Sequence, residues 1–153
     1  MDVMATDASH PDPPLGMPEI LHEDDFLVVF NKPVPMLSVP GIGPTKADCL
    51  VARARTKFPS ARIVHRLDRD TSGVIVLALD AETHRDISIQ FQDRKTHKLY
   101  EAIVMGEPDA DKGDINAPIR KDMENPPLQC VDPIQGKPSL TVWRVLERLG
   151  DRT

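Results

Sequence analysis

The alternation of apolar and polar residues marks out a series of short elements. Residues 1–18 mix Pro, Asp and small side chains without any period. Such a composition does not offset the entropy of ordering, so a flexible tail is expected there, followed by a folded domain over 19–153. Ile20-Leu21-His22 and Phe26-Leu27-Val28-Val29-Phe30 flank the acidic Glu23-Asp24-Asp25, the pattern of two strands joined by a turn. Asn31-Lys32-Pro33 stops the second strand, and Pro40-Gly41 with Gly43-Pro44 punctuates a loop over 36–44. Helix formers return over 45–58, with Leu50, Val51 and Ala54 on one face, and Pro59 ends the helix.

Ile63-Val64 leads into a polar stretch, 65–73, after which Val74-Ile75-Val76-Leu77-Ala78-Leu79 is an unbroken apolar run. That run predicts a strand buried on both faces. Asp80 is a suitable N-cap for a helix ending near Asp93, with Ile87 and Phe91 on one side. Residues 97–105 alternate and predict another strand. Beyond Gly106 the chain is rich in Pro and Asp, with a short strand expected at Ile115, a loop through Pro138, a strand over 139–149 and a turn at Gly150-Asp151. The turn calls for a returning strand, yet the sequence stops at Thr153. A truncated chain is the expectation, since the edge of the 139–149 strand would otherwise lack its cover. Trp143, the one tryptophan, is expected in the core.

Composition narrows the function classes. An apolar share of 40% and a charged share of 28% in 153 residues are ordinary for one soluble domain. No apolar run approaches the roughly 20 residues that span a bilayer, and the start has no leader pattern; a cytoplasmic protein without a membrane partner is expected. Cys49 and Cys130 stand far apart and the five histidines are scattered, so neither a metal site nor a disulfide framework is expected. The net charge of −5 argues against a nucleic-acid partner until it is divided. Residues 1–30 carry −7, residues 31–105 carry +4 and residues 106–153 carry −2, which leaves the middle segment as the surface for a polyanion.

The segment His65-Arg66-Leu67-Asp68-Arg69-Asp70-Thr71-Ser72-Gly73 sets charges, hydroxyls and a glycine between two apolar runs, a costly arrangement unless used or satisfied. It resembles the RluA family of pseudouridine synthases, whose signature H-R-L-D-x-x-T-S-G precedes an apolar strand. The upstream Asn31-Lys32-Pro33 and the downstream Lys98-Leu99-Tyr100-Glu101-Ala102-Ile103-Val104-Met105-Gly106 match the family in order and spacing. Leu37-Ser38-Val39-Pro40-Gly41, and the want of a separate N-terminal RNA-binding domain, resemble the members that act on both a tRNA anticodon stem-loop and a large-subunit ribosomal RNA loop.

The resemblance implies an α+β fold, a mixed and mainly antiparallel sheet with packed helices, and an enzyme that isomerises uridine in structured RNA without a cofactor. It implies Asp68 as nucleophile. A carboxylate suits the task, being ionised at neutral pH without the neighbouring base a serine needs. Arg66 corresponds to the arginine that enters the RNA when the base is flipped out, and Tyr100 to the ring that packs on the flipped base. His65, Lys32 and Arg69 are expected to contact RNA. Thr71, Ser72 and Gly73 are expected to shape the turn, with Asp70 also structural. The partner is structured RNA, tRNA or rRNA, and the protein is expected to be a monomer. The family's later G-R-x-H-Q-[IL]-R-x-H motif, whose arginine pairs with the nucleophile, does not occur in these residues. Little activity is therefore expected from them alone, and a non-catalytic RNA-binding fragment is the competing reading. Asp68-Arg69-Asp70-Thr71 also resembles the nucleophile loop of haloacid-dehalogenase phosphatases, but that loop needs a hydrophobic strand directly before its first Asp, where His65 and Arg66 intervene here.

Overall fold

The computed structural model describes residues 12–43, 46–125 and 128–153, which divide into two compact units, one ending at Lys98 and the other starting at Leu99. In the first, β1 (Glu19–Glu23) and β2 (Leu27–Lys32) form the expected hairpin. Its turn is made by local chemistry: one oxygen of Asp24 accepts the N–H groups of Phe26 and Leu27, each at 2.8 Å. The helix α1 (Leu50–Lys57) is shorter than the period predicts but buries the expected Leu50, Val51 and Ala54; the predicted start at Thr45 lies outside the described residues. β3 (Arg62–Ile63) and β4 (Gly73–Ala78) complete a sheet of order β1-β2-β4-β3, antiparallel throughout. Asp80 caps α2 (Ala81–Gln92) by accepting the Thr83 N–H at 2.8 Å, as expected.

The core lies between the central strands and α1, where Val28 and Phe30 of β2 and Ile75 and Leu77 of β4 meet the buried face of the helix. The expectation that β4 is buried on both faces is corrected. Ile75 and Leu77 are fully buried, whereas Val74 is 64% exposed and Val76 half-buried. The second face is only partly covered by α2, which itself buries no residue completely.

In the second unit β5 (Lys112–Asn116) pairs with β8 (Leu140–Arg144), and β6 (Ile119–Lys121) with β7 (Gln129–Val131), both antiparallel. β5 answers to the strand expected at Ile115; β6 and β7 fall where only loop was expected. The turn at Gly150 is present, with φ +77° and the Leu149 N–H donated to the Arg152 carbonyl at 2.8 Å. The strand expected over 97–105 does not form. Among the described residues its backbone is paired only at its end, where Val104 and Thr153 exchange hydrogen bonds of 2.8 and 3.1 Å. Alternation sorts side chains to two sides, but a strand exists only where a second backbone takes up its N–H and C=O groups. Trp143 is half-buried rather than in the core; its ring covers its cross-strand partner Gly113 so closely that a β-carbon there would come within 2.9 Å. Every pairing among the described residues is antiparallel, and the class is α+β.

Candidate active site

The polar stretch 65–73 is the connection between β3 and β4. Pairing of β2 with β4 sets Lys32 opposite Gly73 and Asn31 opposite Val74, so two motifs distant in sequence become cross-strand neighbours. Gly73 has φ +117°, a conformation that disfavours a side chain, and it turns the connection into the strand. Along the connection burial alternates. His65, Leu67, Arg69, Thr71 and Gly73 are buried or half-buried, while Arg66, Asp68, Asp70 and Ser72 are exposed. Asp68 opens a turn in which its carbonyl accepts the Thr71 N–H at 3.1 Å.

Three inward side chains or backbone groups hold this connection from outside. Lys32 is fully buried, and its Nζ donates to the carbonyls of Met36 at 2.7 Å, Pro33 at 3.2 Å and Arg69 at 3.2 Å. The Met36 N–H donates to the same Arg69 carbonyl at 3.2 Å. Ser38, 3% exposed, donates its hydroxyl to the Leu67 carbonyl at 2.6 Å and accepts the Leu67 N–H at 3.1 Å. Burial pushes the Lys32 ammonium below the usual lysine range, while the charges of Asp70 and Asp68 pull it back up. Both carboxylates therefore lie within the field of one buried cation.

Lys32, expected among the RNA-contacting groups, is thus placed beneath the site, with its ammonium occupied by backbone carbonyls. His65, also expected to contact RNA, stacks on Phe91 of α2 with ring centroids 4.5 Å apart, and its Nε2 accepts the Val76 N–H at 3.2 Å. Burial, and then the charge of Lys98, hold this imidazole below its ordinary value, favouring the neutral ring that the hydrogen bond requires. Arg66 and Asp68 stand exposed, and among the described residues neither side chain has a hydrogen bond or ion pair. Arg69 is half-buried and Ser72 exposed; a shallow depression bordered by Asn31, Pro33, Arg53 and Ser72 adjoins the motif without including Asp68. Tyr100 lies in the second unit, 60% exposed, in a segment without regular structure.

Ser38 had no role in the sequence reading beyond the resemblance of its pentapeptide. Its only local signal is a small hydroxyl set among Met36, Leu37 and Val39. Among the described residues no helix is long and apolar enough to cross a membrane, and no group of three or more His, Cys, Asp or Glu could hold a metal ion.

A family model described as RNA pseudouridylate synthase matches residues 26–153. The chain is 41% identical over 135 residues to the dual-specificity RNA pseudouridine synthase RluA of Pasteurella multocida, covering 88% of this chain and 62% of the relative. It is likewise 41% identical over 134 residues to the protein of that name from Escherichia coli K12, covering 88% of this chain and 61% of the relative. Among solved structures, human RNA pseudouridylate synthase domain containing 1 superposes with a TM-score of 0.67 at 29% identity, covering 84% of this chain and 52% of the human one. Human RNA pseudouridylate synthase domain containing 4 gives 0.66 at 25% identity, covering 88% and 56%. The chain spans less than two thirds of the length of each of these relatives.

Proposed function

Because the chain belongs to the RNA pseudouridylate synthase family, we propose that it provides the nucleophile-bearing part of an enzyme converting uridine to pseudouridine in structured RNA. The substrates proposed are a tRNA anticodon stem-loop and a large-subunit ribosomal RNA loop, following the dual-specificity relatives and the 37–41 pentapeptide. The reaction breaks the N1–C1' bond, turns the uracil and forms a C5–C1' bond; the proton lost from C5 is balanced by one gained at N1. It is a net isomerisation, which calls for neither a redox group nor an external donor. Asp68 acts as nucleophile, Arg66 fills the place of the extruded base, and Tyr100 packs on that base. The protein works as a monomer in the cytoplasm, where its RNA partners are.

One observation carries this reading. Asp68 is exposed on a connection whose flanking peptides are held by buried side chains, two residues from the likewise exposed Arg66. A phosphatase of the haloacid-dehalogenase type is not favoured, since β3 ends at Ile63 and the next strand begins at Gly73, so no strand runs directly into Asp68. The Lys32 ammonium, whose charge acts on Asp68, is taken up by backbone carbonyls rather than by that carboxylate, and a nucleophile without a directly bonded orienting charge is a weak one. Slow turnover is therefore expected from these 153 residues. The test is tritium release from an anticodon stem-loop labelled at uridine C5. Slow release that Asp68→Asn abolishes is the expected result. Release that survives Asp68→Asn would remove the nucleophile assignment, and RNA binding without any release would favour an RNA-binding fragment.

A further inference from the structure

Two polar side chains are buried among the described residues, Lys32 and Ser38. Burying a polar group costs free energy unless its bonds are made, so where such groups direct their bonds shows which part of the chain they are fixing. Lys32 bonds the carbonyl of Arg69 and Ser38 bonds both peptide groups of Leu67. Those are the two residues on either side of Asp68.

Ser38 is itself held to a rigid element. Its carbonyl accepts the Val51 N–H at 3.3 Å, and the neighbouring Leu37 carbonyl accepts the Leu50 N–H at 2.8 Å. These are donors of the first turn of α1, where Cys49 at the N-cap makes no side-chain cap. The 36–39 loop thus caps the helix with its backbone while one hydroxyl of the same loop grips the peptide before Asp68. Both peptides flanking Asp68 are thereby fixed, so the backbone sets the point and direction from which its side chain departs.

Resting on the proposed reaction, we propose that Ser38 is a positioning residue for the nucleophile. It transmits the fixed geometry of α1 to the Leu67–Asp68 peptide and keeps the carboxylate aimed at the bound nucleotide. Ser38→Ala leaves the Leu67 N–H and carbonyl buried without partners; Ser38→Thr retains the hydroxyl. Val28→Ala, a cavity in the core away from the connection, reports what general loss of stability does.

The 153-residue chain and these three variants are compared by amide hydrogen exchange and by tritium release under single-turnover conditions with enzyme saturating. Ser38→Ala is expected to speed exchange across 66–71 by about 10- to 100-fold, the fold-change for losing the two buried hydrogen bonds between its hydroxyl and Leu67. It is expected to slow the saturated rate by about 10- to 100-fold, the scale of a small misplacement of a reacting group, with RNA affinity within about threefold. Ser38→Thr restores much of both, and Val28→Ala changes neither selectively. Exchange over 66–71 that rises no more in Ser38→Ala than in Val28→Ala overturns the positioning role, whether or not the chain turns over. A parent chain that releases no tritium, together with the selective rise in exchange in Ser38→Ala, counts against the proposed reaction and leaves the hold on the peptide standing. Equal saturated rates for Ser38→Ala and the parent overturn the link from that hold to catalysis.

Discussion

At the scale of single residues, the decisive feature is a lysine enclosed by the protein. A buried ammonium is tolerated only when its donors are satisfied, and Lys32 meets that condition with three carbonyls and the nearby charges of Asp70 and Asp68. Lys32→Met keeps the apolar stem but leaves the Met36 and Arg69 carbonyls short of a charged donor. Loss of about 2–3 kcal/mol in urea-unfolding stability is expected; an unchanged urea midpoint would mean that the ammonium holds nothing in place. The sequence did contain the signal for this burial. Val28, Phe30 and Lys32 are successive residues on one side of β2, and all three are buried, so the phase of the strand points the lysine inward. The resemblance points this cation toward RNA, whereas the phase of the strand turns it into the protein. Ser38 carried no comparable signal, because its position depends on a loop bonded to a helix end and to a connection 29 residues away. The polar connection that carries Arg66 and Asp68, by contrast, was legible because its signature is contiguous and lies between two apolar runs.

At the scale of elements, what could be read was what local chemistry decides. The Asp24 turn and the Asp80 cap each use a side chain bonding N–H groups two or three residues on, and both formed as read. The 97–105 segment failed because pairing is not local, and β6 and β7 were missed because three-residue strands such as Ile119-Arg120-Lys121 show no usable alternation. His65 joins elements in the same non-local way, tying the connection to β4 through the Val76 N–H and to α2 through Phe91. Its folded-state affinity for protons is below the ordinary value of 6.5, from burial first and the Lys98 charge second. The unfolded chain therefore binds more protons between the folded value and 6.5, and the stabilisation present above 6.5 is lost as pH falls through that window. Protonation would also set an N–H against the Val76 N–H. Melting at pH 7.5 and 5.5 should show a larger fall for the parent chain than for His65→Gln; equal falls would mean that the imidazole does not link the two elements.

At the scale of the whole molecule, the two units differ in what they bury. Every fully buried apolar residue among those described belongs to the unit ending at Lys98, whereas in the other unit Met105, Leu140 and Val142 are exposed by 77%, 61% and 77%. Two separate two-stranded sheets have little to hold them in water, where an isolated hairpin is marginal and a third strand or a covering face is needed for stability. Burial rather than hydrogen-bonding capacity thus sets the order of stability, since both units pair their strands. Trp143, the one tryptophan, sits in the poorly buried unit against Gly113, so its fluorescence reports that unit alone. Far-UV circular dichroism near 222 nm reports α1 and α2, which belong to the other. In urea the fluorescence transition should precede the loss of helix by about 1 M or more, as expected when a smaller buried area yields first. Coincident transitions would show instead that the second unit draws its stability from the first as a single cooperative block. A separation would mean that the connection carrying Asp68 keeps its shape after the segment carrying Tyr100 has unfolded, so that the proposed nucleophile is held by the first unit's own core.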